Sequence, residues 1–250
     1  MMLDPRFLTR PIAHRALHDV SAGRPENSRA AVRAAIAAGY GIEIDLLPSA
    51  DGVPMVFHDY HLARLTGMAG TLGSRTAAEL GAIQLRHGTE GIPTLAEILA
   101  IVAGQVPVLI EIKDTDIPVG RRVGALERAV ADCLAGYQGP VAVMSFNPHA
   151  VAAMAEFAPG VPRGLTVGGP ADSTYTGLPA ARVMALADMA DFDRVGACFV
   201  SYDRAMLDRP AVWKLKAQNV PILCWTVRSA AQEVAARRIA DNVTFDGYLA

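Results

Sequence analysis

Residues 41–46 read Gly-Ile-Glu-Ile-Asp-Leu. In a β-strand, positions i and i+2 share a face, so Glu43 and Asp45 point one way while Ile42, Ile44 and Leu46 point the other. A bare Glu-x-Asp also fits an edge strand whose polar face meets water. The isoleucines argue for a different setting: if they pack against helices, the carboxylates face the interior of a sheet. Two like charges there lose hydration and repel unless a cation or a proton intervenes. The pattern recurs in Val-Leu-Ile-Glu-Ile-Lys at 108–113, with Glu111 and Lys113 on one face and Val108, Ile110 and Ile112 on the other. Alone, that pair reads as an internal ion pair. Beside Glu43 and Asp45 it completes a set of three carboxylates and one ammonium. Three hard oxygen donors suit one divalent cation, Mg²⁺ or Ca²⁺, better than Zn²⁺, which favours nitrogen and sulfur.

His14-Arg15 closes the run Ile-Ala-His-Arg, and His58-Asp59 closes Met-Val-Phe-His-Asp, so each histidine is expected at a strand end. A single histidine there is most often structural. Two at equivalent ends, on the rim that carries the carboxylates, can serve as base and acid across one reacting centre. Arg15 adds a planar fork of donors for an anionic oxygen. Together these groups describe a site for a phosphate ester: cations neutralise the phosphoryl oxygens, and imidazoles manage the protons of the attacking and leaving oxygens. Other candidates carry less. His18 is within reach of such a site or simply solvated, and His61, His87 and His149 have no partner at a defensible spacing. Gly168-Gly169 reads as a turn before it reads as a phosphate loop. Trp225 suits either the core or a wall for an alcohol group, and Trp213 sits at helical spacing, as a packing residue would.

Elements able to hold these residues alternate along the whole chain. Strands are expected at 11–14, 40–46, 55–58, 106–113, 141–145, 163–167, 197–200, 221–227 and 242–245. Helices are expected at 28–38, 95–102, 119–134, 149–157, 180–190, 204–218 and 230–238. Asn27 is positioned to N-cap the first helix, Gly39 to end it, and Thr94 with Glu97 to form a capping box. Pro107, Pro140 and Pro221 sit just before apolar runs, where a strand tolerates a missing donor. Runs such as Pro-Val-Leu-Ile-Glu-Ile are apolar at nearly every position, as strands covered on both faces are. About eight strands, each followed by a helix, point to an α/β fold of the (β/α)₈ TIM-barrel type, with active sites at the C-terminal strand ends. A doubly wound sheet would show a glycine-rich turn after its first strand, and the residues there match neither GxGxxG nor GxxxxGK[ST]. Residues 59–91 are the one long connection and are expected to form a small insertion or lid within a single domain spanning 1–250.

Composition narrows the function. The 250 residues carry 23 basic and 25 acidic side chains, a net charge of −2, and are 52% apolar. This excludes disorder and offers no footprint for nucleic acid. The longest alanine-rich stretch is broken by Arg33, so stable membrane insertion is not expected. Charges at Asp4, Arg6 and Arg10 leave no room for a secretory h-region, and a cytoplasmic location is expected. Cys133, Cys198 and Cys224 form no CxxC pair and read as buried free thiols.

In order and spacing these pieces resemble the glycerophosphodiester phosphodiesterase family, a group of metal-dependent (β/α)₈-barrel enzymes. The resemblance is carried by Ile-Ala-His-Arg, Pro25–Ser28, Ile-Glu-Ile-Asp-Leu, Val-Phe-His-Asp, Ile-Pro-Thr-Leu-Ala-Glu-Ile-Leu, Ile-Glu-Ile-Lys, Ser145–Pro148 and Trp225–Val227, ending near Asp246. It implies hydrolysis of a small-molecule glycerophosphodiester to sn-glycerol 3-phosphate and an alcohol. Carried over residue by residue, Glu43, Asp45 and Glu111 look like the ligands of one divalent cation, and His14 and His58 like the general base and general acid. Arg15 and Lys113 would hold the phosphoryl oxygens, with Glu26 near the metal and the glycerol. A plainer role for Glu26 is a carboxylate favoured at a helix start. The family usually has glycine where Ala16 stands, asparagine where Arg228 stands, and threonine where Phe245 stands. A related barrel phospholipase acting on lysophospholipid or phosphatidylinositol, or a phosphodiester-binding barrel without turnover, are the alternatives.

Overall fold

A computed structural model describes residues 1–114 and 118–250. Its strands are β1 (Ile12–Ala13), β2 (Gly41–Pro48), β3 (Pro54–Val56), β4 (Val108–Ile112), β5 (Val141–Ser145), β6 (Arg163–Val167), β7 (Phe199–Asp203), β8 (Ile222–Val227) and β9 (Asn242–Phe245). β1 pairs in parallel with both β2 and β9, and parallel pairing continues from β2 through β4, β5, β6, β7 and β8 to β9. The ring is closed, an eight-stranded parallel barrel with helices outside it, as the alternation predicts.

The expected strand 55–58 is not part of that ring. β3 stops at Val56 and runs antiparallel to the end of β2, pairing Leu46 with Val56 and Pro48 with Pro54. β2 is eight residues long and overhangs the barrel, so a tight turn with Gly52 at φ 81° folds the chain back onto its free edge. A three-residue apolar run looks the same in either setting.

The helices are α1 (Arg29–Ala38), α2 (Ala63–Thr66), α3 (Ala77–Ala82), α4 (Leu95–Val102), α5 (Ala125–Leu134), α6 (Pro148–Phe157), α7 (Ala180–Ala187), α8 (Pro210–Ala217) and α9 (Ala230–Ala236). Ser28, not Asn27, caps α1, accepting from the Ala31 N–H, while Gly39 closes it in the left-handed region. The Thr94–Glu97 capping box forms as expected. α5 begins later than residue 119, because Val119 and Gly124 both take positive φ. Pro210 divides the expected 204–218 helix, leaving a single 3₁₀ turn before it and α8 after it. Pro107, Pro140 and Pro221 precede β4, β5 and β8, and each offers its carbonyl to a neighbouring strand.

Outward-facing Ile42, Ile44, Leu46, Val108, Ile110 and Ile112 pack against α1, α4 and α5. Inside the barrel, the lower layer is apolar, with Ile12, Leu109, Met144, Phe199 and Leu223 closed from below by Leu3 and Phe7. Gly164 makes that layer fit, since a Cβ there would lie 2.5 Å from the Phe199 ring. The upper layer carries the carboxylates. Residues 59–91 hold α2 and α3 on their own apolar cluster, in which Leu62, Leu65, Leu72, Leu80 and Leu85 meet Leu47, Met55 and Phe57.

All three cysteines are free, but only Cys224 is fully buried, which pushes its thiol up to about 12. Trp213 is exposed and donates its indole N–H to Asp208 instead of packing. Among the described residues, no helix is long and apolar enough to cross a membrane.

Candidate active site

Parallel register places Asp45 of β2 beside Glu111 of β4. With Glu43 two residues earlier on the same face, the three side chains bring carboxylate oxygens within 4.8 Å of one another, all buried. Lys113, one residue past β4, sets its Nζ 2.8 Å from Asp45 Oδ1 and 2.5 Å from Glu111 Oε1. The second is an ion pair without an aligned hydrogen bond, so Glu111 Oε1 stays buried with an unused lone pair. Asn27, displaced from the expected cap into the left-handed region, donates through Nδ2 to Asp45 Oδ2 at 2.9 Å.

Arg15 and Ala16 take φ of 55° and 63° in succession. This turn aims the Arg15 N–H at Glu43 Oε2 (2.9 Å) and the Ala16 N–H at the Glu43 carbonyl (3.0 Å). A left-handed non-glycine residue costs about 1–2 kcal/mol, so alanine holds here a conformation that glycine would adopt more easily.

Burial, followed by the Asp45 and Glu111 charges, pushes the Glu43 carboxyl well above the usual carboxylate range. Burial also raises Asp45, but the Lys113 ammonium, then His58 and Arg15, outweigh it and hold that carboxyl well below the range. Lys113, lowered by burial, is raised further by Asp45 and Glu111 and stays charged. Three buried carboxylates with one carboxyl pushed up by burial and its neighbours, and a buried Glu111 Oε1 without an aligned hydrogen bond, fit a small hard dication.

His14 follows β1 directly, and its backbone N–H donates to the Phe245 carbonyl of β9. Its Nδ1 lies 3.8 Å from Asp246 Oδ2, too far for a hydrogen bond, while His18 Nε2 reaches Asp246 Oδ1 at 3.1 Å. Burial lowers the His14 imidazole most; the Asp246 carboxylate opposes that and the Arg15 charge adds to it. The net lowering favours the free-base form of His14 that a general base needs. His58 does not sit at an equivalent strand end: it follows antiparallel β3, and the overhang of β2 carries it to the mouth. Its Nδ1 lies 2.7 Å from Asp59 Oδ1. An ionised Asp59 only accepts, so Nδ1 carries the hydrogen and Nε2 is left to exchange a proton.

Burial raises Asp59 as well, but hydrogen bonds from His58 and Arg64 outweigh it and hold its carboxyl well below the ordinary range. A depressed carboxyl contributes stability above its unfolded pKa of about 3.9 and loses it as pH falls toward the folded value. Asp59→Asn is therefore expected to flatten the fall in Tm between roughly pH 5 and pH 2. Thermal unfolding of both proteins across that window checks it, and an unchanged slope would contradict the assignment.

These groups line a cavity of about 660 Å³ at the barrel mouth, together with Trp225, Phe146 and residues 172–174. The Trp225 indole donates to the Ser201 carbonyl (3.1 Å) and meets Phe146 edge to face. Glu26 does not face that cavity. Its carboxylate takes Nη1 of Arg15 at 2.7 Å and both Nη atoms of Arg64 at 2.8 Å, and it borders an adjoining cavity of about 750 Å³ that shares His14. His18 and His87 border the second cavity and His61 the first, while His149 starts α6 away from both. Gly168 forms a turn against Asp172, its N–H donating to the Tyr175 hydroxyl. Asp59, Arg64 and Asp246 escape a reading based on strand alternation. Adjacency to His58 flags the first, but nothing local marks the other two.

The family model described as "Glycerophosphoryl diester phosphodiesterase family" matches residues 14–247. Glycerophosphodiester phosphodiesterase 1 of Bos taurus is 38% identical over 109 residues, which are 40% of this chain and 32% of that protein. The Homo sapiens protein is 36% identical over the same shares. The match thus spans about a third of these relatives. Among solved structures, an Oleispira antarctica phosphodiesterase in complex with the product sn-glycerol-3-phosphate is 24% identical, with a TM-score of 0.75 over 96% of this chain and 93% of that one. A glycerophosphodiester phosphodiesterase from Thermotoga maritima gives 21% and 0.70 over 94% of each. At these identities the two structures speak for the fold.

Proposed function

Because the chain belongs to the glycerophosphoryl diester phosphodiesterase family, we propose that, as one barrel domain, it hydrolyses glycerophosphodiesters to sn-glycerol 3-phosphate and an alcohol with the help of one divalent cation. The observation that carries this reading is the convergence of Glu43, Asp45 and Glu111 at the barrel mouth, between His14, whose imidazole burial lowers, and a His58 held by Asp59.

Glu43, Asp45 and Glu111 would hold Mg²⁺ or Ca²⁺, which when bound neutralises phosphoryl charge and favours an attacking oxyanion. His14, as free base, takes the proton from the attacking oxygen. A new P–O bond forms, and the bond to the alcohol oxygen breaks. His58 gives that oxygen a proton through Nε2 while Asp59 stabilises the ring through Nδ1. Arg15 and Lys113 stand on the rim beside the phosphoryl oxygens, one as a fork and one as a point charge. Glu26 acts from behind, holding Arg15 in place, and Trp225 walls the side where the glycerol or alcohol lies.

The purified protein is expected to release sn-glycerol 3-phosphate from glycerophosphocholine or glycerophosphoethanolamine with added Mg²⁺, Ca²⁺ or Mn²⁺, and to stop when EDTA is added. Release from micellar lysolipid exceeding that from soluble diesters would favour a phospholipase instead. Stabilisation by metal and diester without product from any member of the panel would favour a binding barrel.

A further inference from the structure

Arg64 lies on α2, in the 59–91 insertion, and has no counterpart in the chemistry assigned so far. Its side chain is about half exposed, yet among the described residues its hydrogen bonds go to two acidic side chains that border the two cavities. Nη1 donates to Glu26 Oε2 at 2.8 Å and Nη2 to Glu26 Oε1 at 2.8 Å. On the other side, Nε donates to Asp59 Oδ2 at 2.6 Å and Nη2 to Asp59 Oδ1 at 2.8 Å. One guanidinium therefore grips two carboxylates in fork geometry. Beyond them, Glu26 accepts from Arg15 and Asp59 from His58. The result is a continuous chain, Arg15–Glu26–Arg64–Asp59–His58, both ends of which border the cavity.

Resting on the hydrolase reading above, we propose that Arg64 is a positioning residue that, by clamping Asp59, holds His58 oriented to deliver the leaving-group proton. Asp59 Oδ1 accepts from His58 and Arg64 at once, and Oδ2 accepts from Arg64. With the fork in place, the carboxylate plane is fixed and the imidazole keeps one ring orientation. Without it, Asp59 is free to turn about its own side-chain torsion, and His58 loses the partner that sets its tautomer. Arg64 is about half exposed, so solvent screens the charge part of these pairs, and what the fork adds to the chemistry is geometry. The insertion thereby reaches the site through Arg64 as well as through Asp59, Tyr60 and His61, which line the cavity.

The test uses Arg64→Lys, which keeps the charge and removes the fork. Two diesters are compared: glycerophosphoethanolamine, whose alkoxide needs a proton to leave, and glycerol 3-phosphoryl 4-nitrophenol, whose phenolate leaves as an anion. The variant is expected to lose about 10²-fold in kcat on the first, at the low end for general acid catalysis, and to stay within about threefold on the second. Asp59→Asn with Arg64→Lys should lose no more on the first substrate than Asp59→Asn alone, because both act through His58. Equal losses on both diesters, no loss on the first, or fully multiplicative losses in the double variant would each overturn the proposal. Failure of the hydrolase reading shows itself separately, as absence of turnover by the unsubstituted protein on both diesters, and the inference falls with it.

Discussion

Glu43→Gln is expected to lower turnover roughly 10³-fold while leaving the metal-free protein at least as stable as before. The two halves of this result come from the same crowding. Three buried carboxylates sit within 4.8 Å of one another, and Glu43 is the one whose carboxyl is driven well up, by burial and then by its neighbours. A carboxyl raised in the folded state contributes stability below its unfolded pKa and loses it as pH rises through the folded value. Above that value its charge is a liability that only a cation relieves. Glutamine removes the charge and still offers an oxygen to the Arg15 N–H, so Tm in EDTA should match or exceed that of the unsubstituted protein at pH 8. The same change removes a ligand. If the dication supplies about 4 kcal/mol of transition-state stabilisation, its loss costs roughly 10³-fold in rate. Metal should also stabilise the unsubstituted protein by about 2.7 kcal/mol at a hundred times Kd, or roughly 5–10 °C in Tm. That shift should shrink as pH falls, because protons compete for the same oxygens, and it should be absent from Glu43→Gln. Activity surviving EDTA, or a metal shift retained by the variant, would remove the basis of the proposed chemistry.

His14→Ala and His58→Ala are expected to lower kcat by about 10²–10⁴-fold each, with the double variant losing far less than the product. The histidines differ in how they depend on pH. Burial holds the His14 imidazole below its ordinary value, so its basic form prevails at neutrality. The acid limb of kcat/KM should therefore lie below about pH 6.5, and His14→Ala should lose it along with the rate. His58→Ala should keep that limb but recover most of its rate on the nitrophenyl diester, which needs no acid. Rates within a few-fold of the unsubstituted protein for either variant would sink the acid–base assignment. A retained acid limb in His14→Ala would move the base elsewhere.

Much of this site is legible in the sequence because the direction of a side chain along a strand is a local property. Alternation alone places Glu43 with Asp45 and Glu111 with Lys113, and opposes each pair to isoleucines that pack outward. The Thr94–Glu97 box and the Gly39 stop are equally local, settled by bonds within one turn. The barrel follows from a different alternation, of strand with helix, repeated along the chain.

What alternation cannot state is which strands become neighbours and where loops close. Asp45 meets Glu111 through the register of β2 with β4. His58 reaches the mouth through an antiparallel overhang instead of a barrel strand, and Asn27 leaves its helix to serve Asp45. Glu26 turns from the first cavity toward Arg64, and Asp246 comes from beyond the last strand to meet His14 and His18. Apart from the β2–β3 hairpin, these contacts join residues distant along the chain, and the geometry of all of them depends on ring closure and loop packing. Residue identity and spacing determined which chemistry the chain carries. Only the closed barrel decided which charge faces which, because Coulomb and hydrogen-bond energies depend on distances that local geometry does not set.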